Sequence, residues 1–221
     1  METRICVPIF ERTYEAAIKS SERAIDAGAD ILELRIDALK GVSEAEVKRV
    51  IEDIDFPLIA TNRSPEEGGH FSGTETERIE LLRSAAEVAP YVDVELSTEP
   101  DYIKSVTAVA SRSIISYHDF TGTPSLEALL RIVRMEKEFG DIAKVAVMPQ
   151  NMADTLVVLQ LLSVEDNTIA ISMGEAGKYT RVAAALFGAP ITFASADRST
   201  APGQMDVHIT RRMIDELMPE D

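Results

Sequence analysis

Eight short apolar runs, each followed by a longer segment of helical period, set the tightest limit on how this chain can fold. The runs are RICVPI, ILELRI, PLIAT, YVDVEL, SIISYHD, IAKVAVM, TIAISMG and ITFASA. Each run and its partner segment take roughly 25 to 30 residues, the size of a strand plus a crossover helix. The intervening segments carry their own stop and start signals. TYEAAIKSSERAIDAG ends at Gly28, SEAEVKRVIEDI opens with a capping box from Ser43 to Glu46, and TETERIELLRSAAEV opens with another from Thr74 to Glu77. A last helix is expected through QMDVHITRRMIDELM. Crossovers of this length join parallel strands, and eight such units are the number that closes a (β/α)8 barrel. We therefore expect an α/β chain with a TIM barrel fold, in a single domain over residues 1–221. An open doubly wound sheet is the alternative, disfavoured because no strand leads into GxGxxG. An antiparallel sheet with one wet polar face is another, and the long helical segments speak against it.

Composition narrows the partners. Hydrophobic residues make up 45% of the 221, enough for one substantial core, and no break in composition marks a linker. A formal charge of −16 repels nucleic acid and anionic membrane surfaces, so neither is expected as a partner. Cys6 is the only cysteine, which excludes an internal disulfide framework and suits a reducing compartment; its expected role is that of a small buried apolar side chain. METRICVPIF lacks the basic segment, apolar core and cleavage site of a signal peptide, and no apolar run approaches bilayer-spanning length. A cytoplasmic location is the expectation.

The strands are unusual in carrying charge on one face. Alternation puts Leu32, Leu34 and Ile36 opposite Glu33, Arg35 and Asp37, and Val92, Val94 and Leu96 opposite Asp93 and Glu95. Ser116 shares a face with His118, and Lys144 shares one with Ala146 and Met148 while Ala143, Val145 and Val147 face the helices. In a closed barrel the polar faces converge on one interior. Arg63 and His118 fall at strand C-terminal ends, where barrel active sites lie, and Lys144 sits deeper, where desolvation favours the neutral, nucleophilic amine. Read alone, Lys144 fits a buried ion pair with Glu95 or Asp93 as well as it fits catalysis. His118 alone reads as a satisfied core histidine. His70 is expected on a loop and His208 on a helix surface.

Taken in order, ELRID at 33–37, TNRSPEEGG at 61–69, VDVEL, SYHDF, AKVAVM, SMG at 172–174, GKYTR and TAPGQ at 200–204 resemble the type I 3-dehydroquinate dehydratase family, Schiff-base enzymes of the shikimate pathway. The resemblance implies a barrel, usually a homodimer, with no metal and no organic cofactor. It implies that Lys144 forms the imine, that His118 is the general acid and base, and that Glu67 orients and tunes His118. Glu33, Arg35, Arg63, Arg181 and Gln204 would hold the hydroxyls and carboxylate of 3-dehydroquinate, and Met173 would line the pocket. Two departures stand out. Thr200 occupies the place of a family serine in the substrate loop, and the first barrel strand comes almost at once, without the N-terminal hairpin found in many bacterial members.

A rival from the same chemistry is a Schiff-base aldolase acting on a sugar phosphate, with GKYTR and DRSTAPGQ supplying charge near the phosphate. A barrel that only binds a small carboxylate is the non-catalytic alternative. GxSxG, HExxH and paired cysteines are all missing from the sequence.

Overall fold

The computed structural model describes residues 3–196 and 200–218. Eight strands form: β1 Arg4–Ile9, β2 Ile31–Arg35, β3 Leu58–Thr61, β4 Tyr91–Glu95, β5 Ser113–Asp119, β6 Ile142–Val147, β7 Thr168–Ser172 and β8 Ile191–Phe193. Helices alternate with them: α1 Tyr14–Asp26, α2 Glu44–Ile54, α3 Glu75–Ala86, α4 Pro100–Thr107, α5 Leu126–Phe139, α6 Met152–Leu162, the single turn α7 Gly174–Gly177, α8 Thr180–Leu186 and α9 Val207–Leu217. Every strand pairing among the described residues is parallel, in the order β7-β6-β5-β4-β3-β2-β1-β8. The chain is a (β/α)8 barrel, with β7 and β8 at the two ends of the hydrogen-bonded order.

Local chemistry sets the helix boundaries. Both expected capping boxes form: the Ser43 hydroxyl accepts from the Glu46 N–H and the Thr74 hydroxyl from the Glu77 N–H, while each glutamate reaches back to the cap. Helix α1 stops at Ala27, and Gly28 then turns the chain with φ at +89°. The last helix starts later than its sequence pattern. Asp206 accepts from the N–H groups of His208 and Ile209, so α9 begins at Val207 and leaves Gln204 and Met205 in the loop before it.

The alternation read in the strands is the barrel's two faces. Leu32, Leu34, Val92 and Val94 pack outward with the helices, as do Ala143, Val145 and Val147. Inside, Cys6, Ile31, Ile59, Tyr91, Ile114, Ile142, Ile169 and Ile191 form an apolar cluster. On β2, β4, β5 and β6 the next inward positions along the strand are Glu33, Asp93, Ser116 and Lys144, all buried. At the N-terminal strand ends the Arg4 guanidinium stacks 4.9 Å from the centre of the Tyr91 ring and donates to its hydroxyl at 2.6 Å. The floor is thus closed by apolar packing and one aromatic plug, so charges above it stand in a medium of low permittivity.

Candidate active site

Lys144 lies in mid-β6, opposite Ser116 of β5 and Ile169 of β7. It is 4% exposed, and its Nζ donates to Asp93 Oδ2 at 2.8 Å, stands 3.6 Å from Glu33 Oε1 and lies 4.5 Å from the centre of the Phe193 ring. The ion pair considered from sequence therefore exists with Asp93 but not with Glu95; Glu33 reaches in as the second carboxylate. Lys144 thus stands buried between two carboxylates, a pairing the strand pattern alone did not specify. Asp93 also accepts from Arg63 Nη2 at 2.8 Å and from the Ser116 hydroxyl at 2.7 Å. Burial pushes its carboxyl upward, but Arg63 and Lys144 outweigh burial and hold it well below the usual carboxylate range.

Arg63 leaves β3 two residues after Thr61 and is 3% exposed. It donates to Asp93, to Glu95 Oε1 at 3.0 Å and to the Ser116 hydroxyl at 2.7 Å. Glu95 in turn accepts from Arg78 Nη1 at 2.8 Å, and Arg78, on α3, is itself 1% exposed. Alternating charges thus run from α3 through Glu95, Arg63 and Asp93 to Lys144. Arg63 lines the cavity, yet much of its donor capacity is committed to this network.

His118, near the end of β5, is held by Glu67. The PEE stretch forms a single 3-10 turn over Pro65–Glu67, and Gly68 follows with φ at +81°. Gly69 approaches Arg63 so closely that a Cβ would lie 1.9 Å from the Arg63 carbonyl oxygen. This tight loop aims Glu67 Oε2 at His118, from which it accepts the main-chain N–H at 3.0 Å and meets Nδ1 at 2.9 Å. Burial, with Arg63 and Lys144, holds His118 well below its ordinary value. Burial also pushes Glu67 up to about 7, against the Ser97 hydroxyl and Arg63. With Glu67 ionised, the neutral ring carries its proton on Nδ1 and keeps a lone pair on Nε2.

Arg181, the second residue of α8, is 2% exposed rather than solvated. Its guanidinium donates to the backbone carbonyls of Gly203 at 3.1 Å, Pro202 at 3.0 Å and Phe193 at 3.4 Å. Among the described residues no carboxylate lies within ion-pair distance of it, and burial pulls it down to about 10. Arg35 is fixed from behind by Asp37, to which it donates at 2.8 and 2.6 Å. Gln204 Oε1 accepts from the Thr200 N–H at 2.7 Å and the Thr200 hydroxyl at 3.1 Å, so these two residues brace one loop. Of the DRSTAPGQ stretch, residues 197–199 lie outside the described residues.

All ten residues singled out from the sequence, Lys144, His118, Glu67, Glu33, Arg35, Arg63, Arg181, Thr200, Gln204 and Met173, line one cavity of about 160 Å³. The sequence reading missed others. Asp93 and Glu95 were visible on the inward face only as ion-pair candidates for Lys144, and the contributions of Ser97, Arg78 and Phe193, like the place of Phe120 in the cavity lining, had no signal in spacing or composition. His70 stands on a loop and His208 on an exposed turn of α9, as expected.

Comparison with known proteins agrees with this geometry. The family model described as type I 3-dehydroquinase matches residues 5–218. A 3-dehydroquinate dehydratase of Methanothermobacter thermautotrophicus is 70% identical over 221 residues, covering all of both chains. The crystal structure of a type I 3-dehydroquinate dehydratase from Clostridium difficile, with covalently modified comenic acid, superposes with a TM-score of 0.90 at 31% identity, covering 98% of this chain and 92% of that one. The 3-dehydroquinate dehydratase of Aquifex aeolicus superposes with a TM-score of 0.87 at 30% identity, covering 99% of this chain and all of that one. With its fold and the run of its motifs both matched over nearly the whole length, the chain belongs to the type I 3-dehydroquinase family.

Proposed function

We propose that this cavity removes water from 3-dehydroquinate to give 3-dehydroshikimate, through an imine on Lys144. The observation that carries the reading is the meeting, in one cavity of about 160 Å³, of a buried amine, an imidazole and a buried arginine whose partners among the described residues are backbone carbonyls. Arg181 takes the substrate carboxylate in a two-bonded grip, which fixes the ring over Lys144. Glu33 and Arg35, with Gln204 and Thr200 from the loop after β8, hold the ring hydroxyls. Lys144 adds to the ring ketone, water leaves, and the protonated imine becomes the electron sink for the carbon beside it. His118 Nε2 takes a proton from that carbon and returns one to the departing hydroxyl. Hydrolysis of the conjugated imine frees the amine.

Borohydride reduction in the presence of 3-dehydroquinate tests this. The expected result is a stable adduct on the peptide containing Lys144; an adduct on another lysine, or none, refutes it. The sugar-phosphate rival loses ground because residues 5–218 match the type I 3-dehydroquinase family, motifs and barrel together.

The same reading treats residues 1–221 as one catalytic domain working in the cytoplasm. The single cysteine is buried, and no helix among the described residues is long and apolar enough to cross a membrane. It also takes the enzyme as a homodimer. Exposed apolar side chains lie at helical spacing on α6 (Met152, Leu156) and on α9 (Ile209, Met213, Leu217), with Leu186 and Phe187 at the end of α8, and α8 packs against both helices. This face suits a second copy. Sedimentation of Leu186→Glu against the parent chain tests it, with a shift to monomer expected.

A further inference from the structure

The geometry points to Ser97 as a positioning residue of the acid-base pair: its hydroxyl donates to Glu67 Oε1 and so fixes which oxygen, and which rotamer, Glu67 offers to His118. This rests on the reading of His118 as the proton carrier.

Glu67 is 7% exposed and uses its two oxygens differently. Oε2 is occupied by His118, through the main-chain N–H at 3.0 Å and Nδ1 at 2.9 Å. Oε1 accepts from the Ser97 hydroxyl at 2.7 Å, a short bond of the charge-assisted kind. The pair matters because the proton has two places to be. When Glu67 is a carboxylate, His118 must carry its proton on Nδ1, and Nε2 is bare and able to act as a base. When Glu67 holds a proton and donates it to Nδ1, the ring takes the other tautomer and Nε2 is already occupied. A hydroxyl that donates to Oε1 favours the carboxylate and hence the productive tautomer.

The surroundings of the pair are otherwise charged. Arg63 and Glu95 face Glu67, and Arg63, Lys144, Asp93 and Arg35 act on His118. Apart from Arg35, which is paired with Asp37, these groups are shared with the Lys144 network, so changing them would disturb the amine. Ser97 is different. It sits on an exposed turn after β4 whose backbone is held independently: the Leu96 N–H donates to the Ser116 carbonyl at 2.8 Å, the Thr98 N–H to the Glu95 carbonyl at 3.1 Å, and Arg78 Nη2 to the Thr98 hydroxyl at 3.0 Å. Removing one hydroxyl from such a turn leaves the fold in place and isolates the hydrogen bond.

The test is the pH dependence of kcat/KM for 3-dehydroquinate in the parent chain, Ser97→Ala and Ser97→Thr. The acid limb belongs to Glu67 and His118 titrating together. Loss of the donor makes Glu67 easier to protonate, so the limb of Ser97→Ala should move to higher pH by roughly half a unit, a loss of about threefold on that limb. On the alkaline side the variant should match the parent, the melting temperature should be unchanged, and Ser97→Thr should restore the profile. A Ser97→Ala profile that overlays the parent, or a loss equal at every pH that threonine does not restore, overturns the proposal. His118→Ala run beside them separates the two readings. If it turns over normally the proton-carrier reading falls; if it is slow while Ser97→Ala overlays the parent, only the role of Ser97 falls.

Discussion

Replacing Arg181 by methionine should separate binding from folding. The guanidinium is 2% exposed, its partners are neutral carbonyls, and burial pulls it down to about 10. At 1.36 kcal/mol per pKa unit, that depression from the ordinary arginine value corresponds to about 3 kcal/mol by which the folded chain disfavours the charged form. The sign follows directly: a cation with a depressed folded value costs stability at every pH where it is charged in both states, which includes neutrality. A bound carboxylate relieves that cost, and a two-bonded charge-assisted pair is of the same order, about 3 kcal/mol. Arg181→Met should therefore lower kcat/KM by about 100-fold. Its melting temperature should stay within about 3 °C of the parent, since the lost bonds to carbonyls are offset by removal of a buried charge. Steady-state kinetics at saturating and limiting 3-dehydroquinate, with a thermal melt of each chain, measure both quantities. A loss of less than about fivefold would show that Arg181 does not hold the carboxylate and that the 3 kcal/mol is not available to substrate.

Lys144→Met should abolish borohydride trapping and turnover while leaving the barrel folded, because Asp93 keeps Arg63 and Ser116 as partners; trapping that persists would place the imine elsewhere. His118→Ala should still form the imine but turn over about 10²- to 10⁴-fold more slowly, read by trapping and by steady-state rate together. Glu136 on α5 is fully buried, and burial, with Asp93 adding to it, pushes its carboxyl up to about 10 against the Lys144 main-chain N–H. An acid with a raised folded value loses stability as pH climbs from its unfolded value toward the folded one. Glu136→Gln should accordingly raise the melting temperature more at pH 8 than at pH 5, and an equal gain at both would refute the assignment.

The residues differ in how far sequence alone could place them. The period-two alternation in ILELR, YVDVE, SIISYHD and IAKVAV is enough to place Glu33, Asp93, Ser116 and Lys144 on the inward face, because side-chain direction along a strand is a local property. The capping boxes at Ser43 and Thr74 were equally legible, since each closes within four residues. The eight-fold alternation and the parallel order follow from the lengths of the connections.

Contacts across the barrel were another matter. Lys144 meets Asp93 two strands away and Glu33 on the far side of the strand order, while Glu95, which shares a face with Asp93, turns instead to Arg63 and Arg78. Which carboxylate meets which cation depends on the tilt and stagger with which the strands close, and no local pattern records them. For the same reason the Ser97 hydroxyl on Glu67 and the carbonyl nest around Arg181 came only with the tertiary structure. The chain's local chemistry determined what each strand would carry and which way it would point; the closure of the ring decided which of those groups would meet, because only closure brings residues distant in sequence within a few ångströms of one another.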